Sequence, residues 1–144
     1  MSFILDTNVV SELMGMRPNP SVIHWVDGQA HEILHLTSIT VAEIRVGLRI
    51  MPEGRRQTEL RERLDRVLPV FDGRILAFDE AAAERFAEIE FEARRRGKPI
   101  APFDSLIAAI AQVHGFTVVT RDTAPFEAAG VAVVDPWLDD PKST

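Results

Sequence analysis

Four acidic side chains stand where an α/β chain can bring them together. Asp6 directly follows the apolar run Phe3-Ile4-Leu5, and Glu43 closes the stretch Thr40-Val41-Ala42-Glu43. Asp104 opens a mostly apolar stretch reaching His114, and Asp122 follows Thr120-Arg121 after another apolar run. Unpaired carboxylates gathered in one place repel each other, and a bound cation relieves that cost. The chain has no Cys and the four acids offer only oxygen, a donor set that selects hard ions such as Mg²⁺ or Mn²⁺. A pair of such ions suits phosphodiester hydrolysis, one generating the nucleophile from water and the other stabilising the departing oxygen. Thr7, Asn8, Ser105 and Thr120 lie beside the acids and offer hydroxyl or amide groups to orient waters at the site. Arg121, adjacent to Asp122, is the cation best placed to meet a substrate phosphate.

The elements that must position these groups follow from patterning. Strands are expected at 3–5, 32–40, 74–78, 116–120 and 131–134, where apolar and β-branched residues concentrate. Helices are expected after Asp6-Thr7-Asn8 up to Gly15, from Asn19-Pro20 to Gly28, and from Thr40 to Met51. Others should span 55–68, 79–96 and 104–114, with a short helical turn at 125–129. Gly97 and Gly115 mark stops. Strands alternate with helices, which predicts a three-layer α/β/α fold around a central parallel sheet. In such a sheet the working crevice lies beyond the carboxyl ends of the strands. Asp6 and Asp122 follow strands directly, while Glu43 and Asp104 sit at helix starts, so all four are expected at one end.

A chain of 144 residues with 46% hydrophobic and 26% charged residues fits one globular domain, placed at 1–136 and followed by a polar tail, 137–144. The net charge of −6 argues against coating DNA or a membrane surface, which need a broad positive field. No signal peptide is recognisable and no apolar run approaches the roughly 20 residues that span a bilayer, so a cytoplasmic protein without a membrane partner is expected.

Each residue also has a purely structural reading. Asp6 and Asp104 can cap the helices that follow them, Asp122 can be a solvated turn residue, and Glu43 fits a capping box with Thr40. His31-Glu32-Ile33-Leu34-His35 matches a zinc-protease pattern that works only on a helix. It leads into strand-forming residues, where positions four apart are separated by roughly 13 Å, so zinc is not expected. Arg94, Arg95, Arg96 and Lys98 read first as a solvated helix end that complements the helix dipole, and second as a phosphate contact. Arg45 and Arg49 can line the approach to Glu43 or pair with nearby acids. His24 and His114 read as surface or packing residues, and Trp25 and Trp137 as packing residues before base-stacking ones. Leu48, Ile50, Met51 and Leu60 supply core packing or a groove for a partner.

Four segments together resemble a known family. Leu5-Asp6-Thr7-Asn8, Thr40-Val41-Ala42-Glu43, Asp104-Ser105-Leu106-Ile107-Ala108-Ala109 and Thr120-Arg121-Asp122 are similar to the motifs of PIN-domain ribonucleases. The likeness extends to the VapC and FitB type toxins of bacterial toxin–antitoxin pairs. Each motif alone is weak, but all four in order across nearly the whole chain are specific. The resemblance implies a PIN-like fold and a metal-dependent endoribonuclease, usually a homodimer, acting on RNA and silenced by a cognate antitoxin. It assigns metal-site roles to Asp6, Glu43, Asp104 and Asp122, the fourth position being the most variable in the family. A DNA nuclease or phosphatase using the same acids, and a non-catalytic interaction module, are the competing functions.

Overall fold

The computed structural model describes residues 1–143. Five strands form one all-parallel sheet: β1 (Phe3–Leu5), β2 (Leu34–Thr37), β3 (Ile75–Leu76), β4 (Thr117–Val119) and β5 (Val133–Val134). Their order across the sheet is β3-β2-β1-β4-β5. The chain therefore builds one side of the sheet from β1 through β2 to β3, then crosses to the other side of β1. That reversal between β1 and β4 is a topological switch point, where a crevice opens beyond the strand ends.

Helices α1 (Thr7–Met14) and α2 (Pro20–Asp27) connect β1 to β2, while α3 (Ser38–Ile50) and α4 (Arg55–Val67) connect β2 to β3. Helices α5 (Glu80–Arg95) and α6 (Pro102–His114) lead to β4, and α7 (Ala124–Ala128) leads to β5. Strand side chains alternate between the two faces. Ile4 and Val118 pack with α5 and α6, whereas Phe3, Leu5, Leu34, Leu36 and Val119 pack with α1 to α4. Two cores thus sandwich the sheet, as the alternation of elements predicts. Among the described residues no helix is long and apolar enough to cross a membrane.

Several boundaries differ from the sequence reading, each for a local reason. Thr37 rather than Thr40 caps α3, its hydroxyl accepting from the Thr40 N–H at 3.0 Å. The helix therefore starts at Ser38, which shortens β2 and removes the expected Thr40–Glu43 capping box. Helix α6 starts at Pro102, a residue pre-set for a first turn, so Asp104 lies inside that turn and does not cap it. It ends where Gly115 adopts φ +70° and its N–H bonds back to Ala111, a conformation that favours glycine. Residues His31–Ile33 form a single 3₁₀ turn before β2, and His35 lies in the strand itself. The zinc-protease pattern thus has no helix to act on. Asp79 and Asn19 cap α5 and α2.

Candidate active site

Asp6 leaves β1 at the switch point, its own N–H donating to the Val119 carbonyl at 2.9 Å. Its carboxylate is buried and serves as the N-cap of α1. Oδ1 accepts from the Thr7 N–H at 2.8 Å, and Oδ2 accepts from the Thr120 hydroxyl at 2.8 Å. Asn8 Nδ2 adds a longer bond to Oδ2 at 3.4 Å. The capping and site readings of Asp6 are compatible, because a carboxylate has about four lone-pair sites and these three bonds leave one open. Asn8 joins the two strand ends: Nδ2 donates to Thr120 Oγ1 at 3.0 Å, and Oδ1 accepts from the Arg121 N–H at 3.2 Å. Thr120 Oγ1 also accepts from the Asp122 N–H at 3.0 Å. One buried threonine consequently fixes the first carboxylate and the backbone of the fourth.

Glu43 is freed from any capping duty and points toward α1, where its Oε1 accepts from the Thr7 hydroxyl at 2.8 Å. Asp104 is half-buried and, among the described residues, its carboxylate accepts no hydrogen bond. The neighbouring Ser105 hydroxyl is fully buried and lacks a partner among the described residues. Such an orphaned group is uncommon inside a folded protein.

The acids feel one another. Desolvation pushes the Asp104 carboxyl up from its ordinary 3.8 to about 6, with Asp6, Asp122 and Glu43 adding repulsion. Burial also raises Asp6, against the lowering effect of its bonds from Thr120 and Thr7, and Asp122 raises it further. Glu43 rises through desolvation, with Thr7 opposing and Asp6 adding. All four sequence-selected acids therefore meet at one end of the sheet. Among the described residues, however, no three His or acidic side chains converge tightly enough to hold one ion directly. An arrangement coupled through space but not closed suits Mg²⁺, which keeps several waters and takes only one or two carboxylates. The donor set, all oxygen and mutually repelling, fits such an ion.

The other candidates separate cleanly. Arg121 is exposed at the rim, and its guanidinium carbon lies 5.1 Å from the Trp137 ring centroid. No local sequence signal points to that contact. Arg45 reaches Asp65 at 3.4 Å. Arg94, Arg95 and Arg96 engage Glu90 and Glu92 on their own helix, which is the solvated-helix arrangement. His24 pairs with Asp139, a partner the sequence did not suggest. Leu48 is buried while Ile50 is exposed, so this set divides between core and surface.

Comparison with known proteins decides the lineage. The PIN domain family model matches residues 3–131. The chain belongs to the PIN domain family. It is 49% identical over 135 residues to the VapC ribonuclease Y4jK of Sinorhizobium fredii, covering 93% of this chain and 96% of that protein. It is 47% identical to the toxin FitB of Neisseria gonorrhoeae, covering 94% of this chain and 99% of that one. The crystal structure of FitAcB from the same organism superposes with a TM-score of 0.87 at 47% identity, across 94% of this chain and 99% of that chain.

Proposed function

We propose that this PIN domain is a divalent-metal-dependent endoribonuclease, the toxin of a toxin–antitoxin pair, acting on RNA in the cytoplasm. The observation that carries the reading is the cluster of Asp6, Glu43, Asp104 and Asp122 at the β1/β4 switch point, with Asp104 raised to about 6. The ribonuclease and toxin names of relatives near half identity support it. Bound Mg²⁺ or Mn²⁺ would supply water activation and stabilisation of the departing oxygen.

The chain's own residues divide the remaining work. Asp6, Glu43, Asp104 and Asp122 would hold the ion, since their carboxylates are the groups coupled to one another at the crevice. Thr120 and Thr7 orient Asp6 and Glu43 by donating to them, so the carboxylates need little reorganisation when a cation arrives. Asn8 locks the loop that carries Asp122, and Arg121 offers a guanidinium to a substrate phosphate.

The proposal extends to a homodimer and a cognate antitoxin. Exposed apolar side chains such as Ile50 and Phe91 suit contact with a second copy. An apolar cavity of about 360 Å³ lies between α1, α2 and α4, bordered by Arg63, Arg66 and Arg74, and none of the four acids lines it. Its chemistry suits the apolar face of an acidic partner helix better than a nucleotide.

The test is cleavage of single-stranded RNA, single-stranded DNA and a small phosphate ester in parallel, in Mn²⁺ and in EDTA. RNA cleavage that EDTA abolishes, and that Asp6→Ala or Asp104→Ala removes, is the expected result. Preferential hydrolysis of DNA or the ester would overturn the substrate assignment. Full activity of either variant would overturn the site.

A further inference from the structure

Strands β4 and β5 run side by side with Val119 opposite Val134, and the Thr120 N–H donates to the Val134 carbonyl at 2.9 Å. The segments leaving these strands emerge as neighbours. One carries Arg121-Asp122. The other turns through Pro136–Leu138, with the Trp137 N–H bonded to Asp135 Oδ1 at 2.9 Å.

Trp137 packs partly into the core beneath α1 to α4, which fixes its ring. The turn is tied down further along by His24 of α2. Its Nδ1 contacts the Asp139 carboxylate, and its Nε2–H donates to the Ser143 carbonyl at 3.0 Å.

Arg121 belongs to a rim crowded with negative charge, so pairing with an acid would be its expected fate. Yet among the described residues no carboxylate lies within 4.0 Å of its guanidinium. Its backbone is pinned by Asn8, and its cation sits over the Trp137 ring at 5.1 Å. An aromatic face attracts a cation without satisfying its N–H donors as a carboxylate would. Arg121 is thus ordered but not neutralised.

We propose that Trp137 is a positioning residue: it holds the Arg121 guanidinium at the mouth of the acidic crevice, ready to receive a phosphate of single-stranded RNA. The inference rests on the ribonuclease reading. A polyanion approaching a chain of net charge −6 meets repulsion, and a pre-ordered cation at the entrance offsets it locally. Left on a flexible stem, the same arginine would collapse onto Asp122, and substrate would have to break that pair before binding.

The experiment measures RNA cleavage in Mn²⁺ by the wild-type chain and by Arg121→Gln, Trp137→Leu, Trp137→Phe and the double variants. Arg121→Gln should raise KM about tenfold through loss of one charged phosphate contact. Trp137→Leu, which keeps apolar bulk without a π face, should raise KM about threefold to fivefold, with the loss falling on KM rather than kcat. Trp137→Phe should show a smaller rise, since a phenyl face keeps part of the cation attraction that Leu lacks. On the Arg121→Gln background both Trp137 substitutions should add nothing. The salt dependence of RNA affinity should flatten by about 0.7 in log–log slope in Arg121→Gln, as expected for one phosphate contact to a single strand.

Additive effects of the two positions, or equal impairment by Phe and Leu, would overturn the inference. Should Trp137→Leu not fold, the Trp137→Phe comparison with and without Arg121→Gln carries the same test. Absence of RNA cleavage by the wild-type chain refutes the ribonuclease reading and this inference with it. Wild-type cleavage with the wrong pattern among variants refutes the inference alone.

Discussion

Replacing Asp104 with Asn should stabilise the metal-free protein while destroying its activity. Asp104 is raised to about 6 by desolvation and by Asp6, Asp122 and Glu43, so its ionised form is disfavoured in the folded state. Moving a carboxyl from 3.8 to about 6 corresponds to at most about 3 kcal/mol. Asp104 is only half-buried, and solvent screening reduces the effective value to about 1 kcal/mol.

The sign follows from linkage. A folded-state pKa above the unfolded value means that the native state binds more protons, so stability is fully present below about 3.8 and is lost as pH rises through about 6. Asn carries no charge at any pH. The advantage of Asp104→Asn should therefore be near zero at pH 3.5, grow between pH 4 and 6, and level off above. At pH 7.5 in EDTA, about 1 kcal/mol corresponds to a Tm increase of about 3 °C for a chain of this size. Mn²⁺ should raise the Tm of the wild-type protein and do so much less for the variant. Scanning calorimetry from pH 3.5 to 8, with and without Mn²⁺, reads all of this. A variant equally or less stable than wild type in EDTA at pH 7.5 would refute the argument that burial and the neighbouring acids disfavour the ionised Asp104.

Other outcomes follow from the same geometry. Glu43→Gln retains an acceptor for the Thr7 hydroxyl and should fold normally while cleaving RNA at least about a hundredfold more slowly, assayed as single turnovers. Thr120→Val removes the donor to Asp6 and the acceptor for the Asp122 N–H; urea denaturation should show a loss of about 1–3 kcal/mol. Phe126→Ala deletes a fully buried ring of the α5–α6 core and should cost about 3–5 kcal/mol by the same method. Gly115→Ala forces a side chain into φ +70° and should lower stability by about 1 kcal/mol, although nothing crowds the added methyl.

The element order, the parallel sheet and the convergence of the four acids at one end of it were legible in the chain itself. Apolar periodicity and turn residues are local signals, and a carboxylate directly after a strand or within a helix's first two turns has a fixed address in an α/β fold. The ends of the elements were less legible, because competing caps are close in energy. Thr37 and Thr40 lie three residues apart, and the choice of Thr37 is visible only in its bond to the Thr40 N–H.

What tertiary structure alone decided are the partnerships between distant residues. Thr7 meets Glu43 across 36 positions, Thr120 meets Asp6 across 114, and His24 meets Asp139 across 115. Trp137 comes to rest beside Arg121 because β5 pairs with β4 in one register. Such contacts depend on how sheet order folds the chain back on itself, and no local propensity encodes that order. The acids could be named from the sequence; the groups that hold them in place could be found only once the strands had been laid side by side.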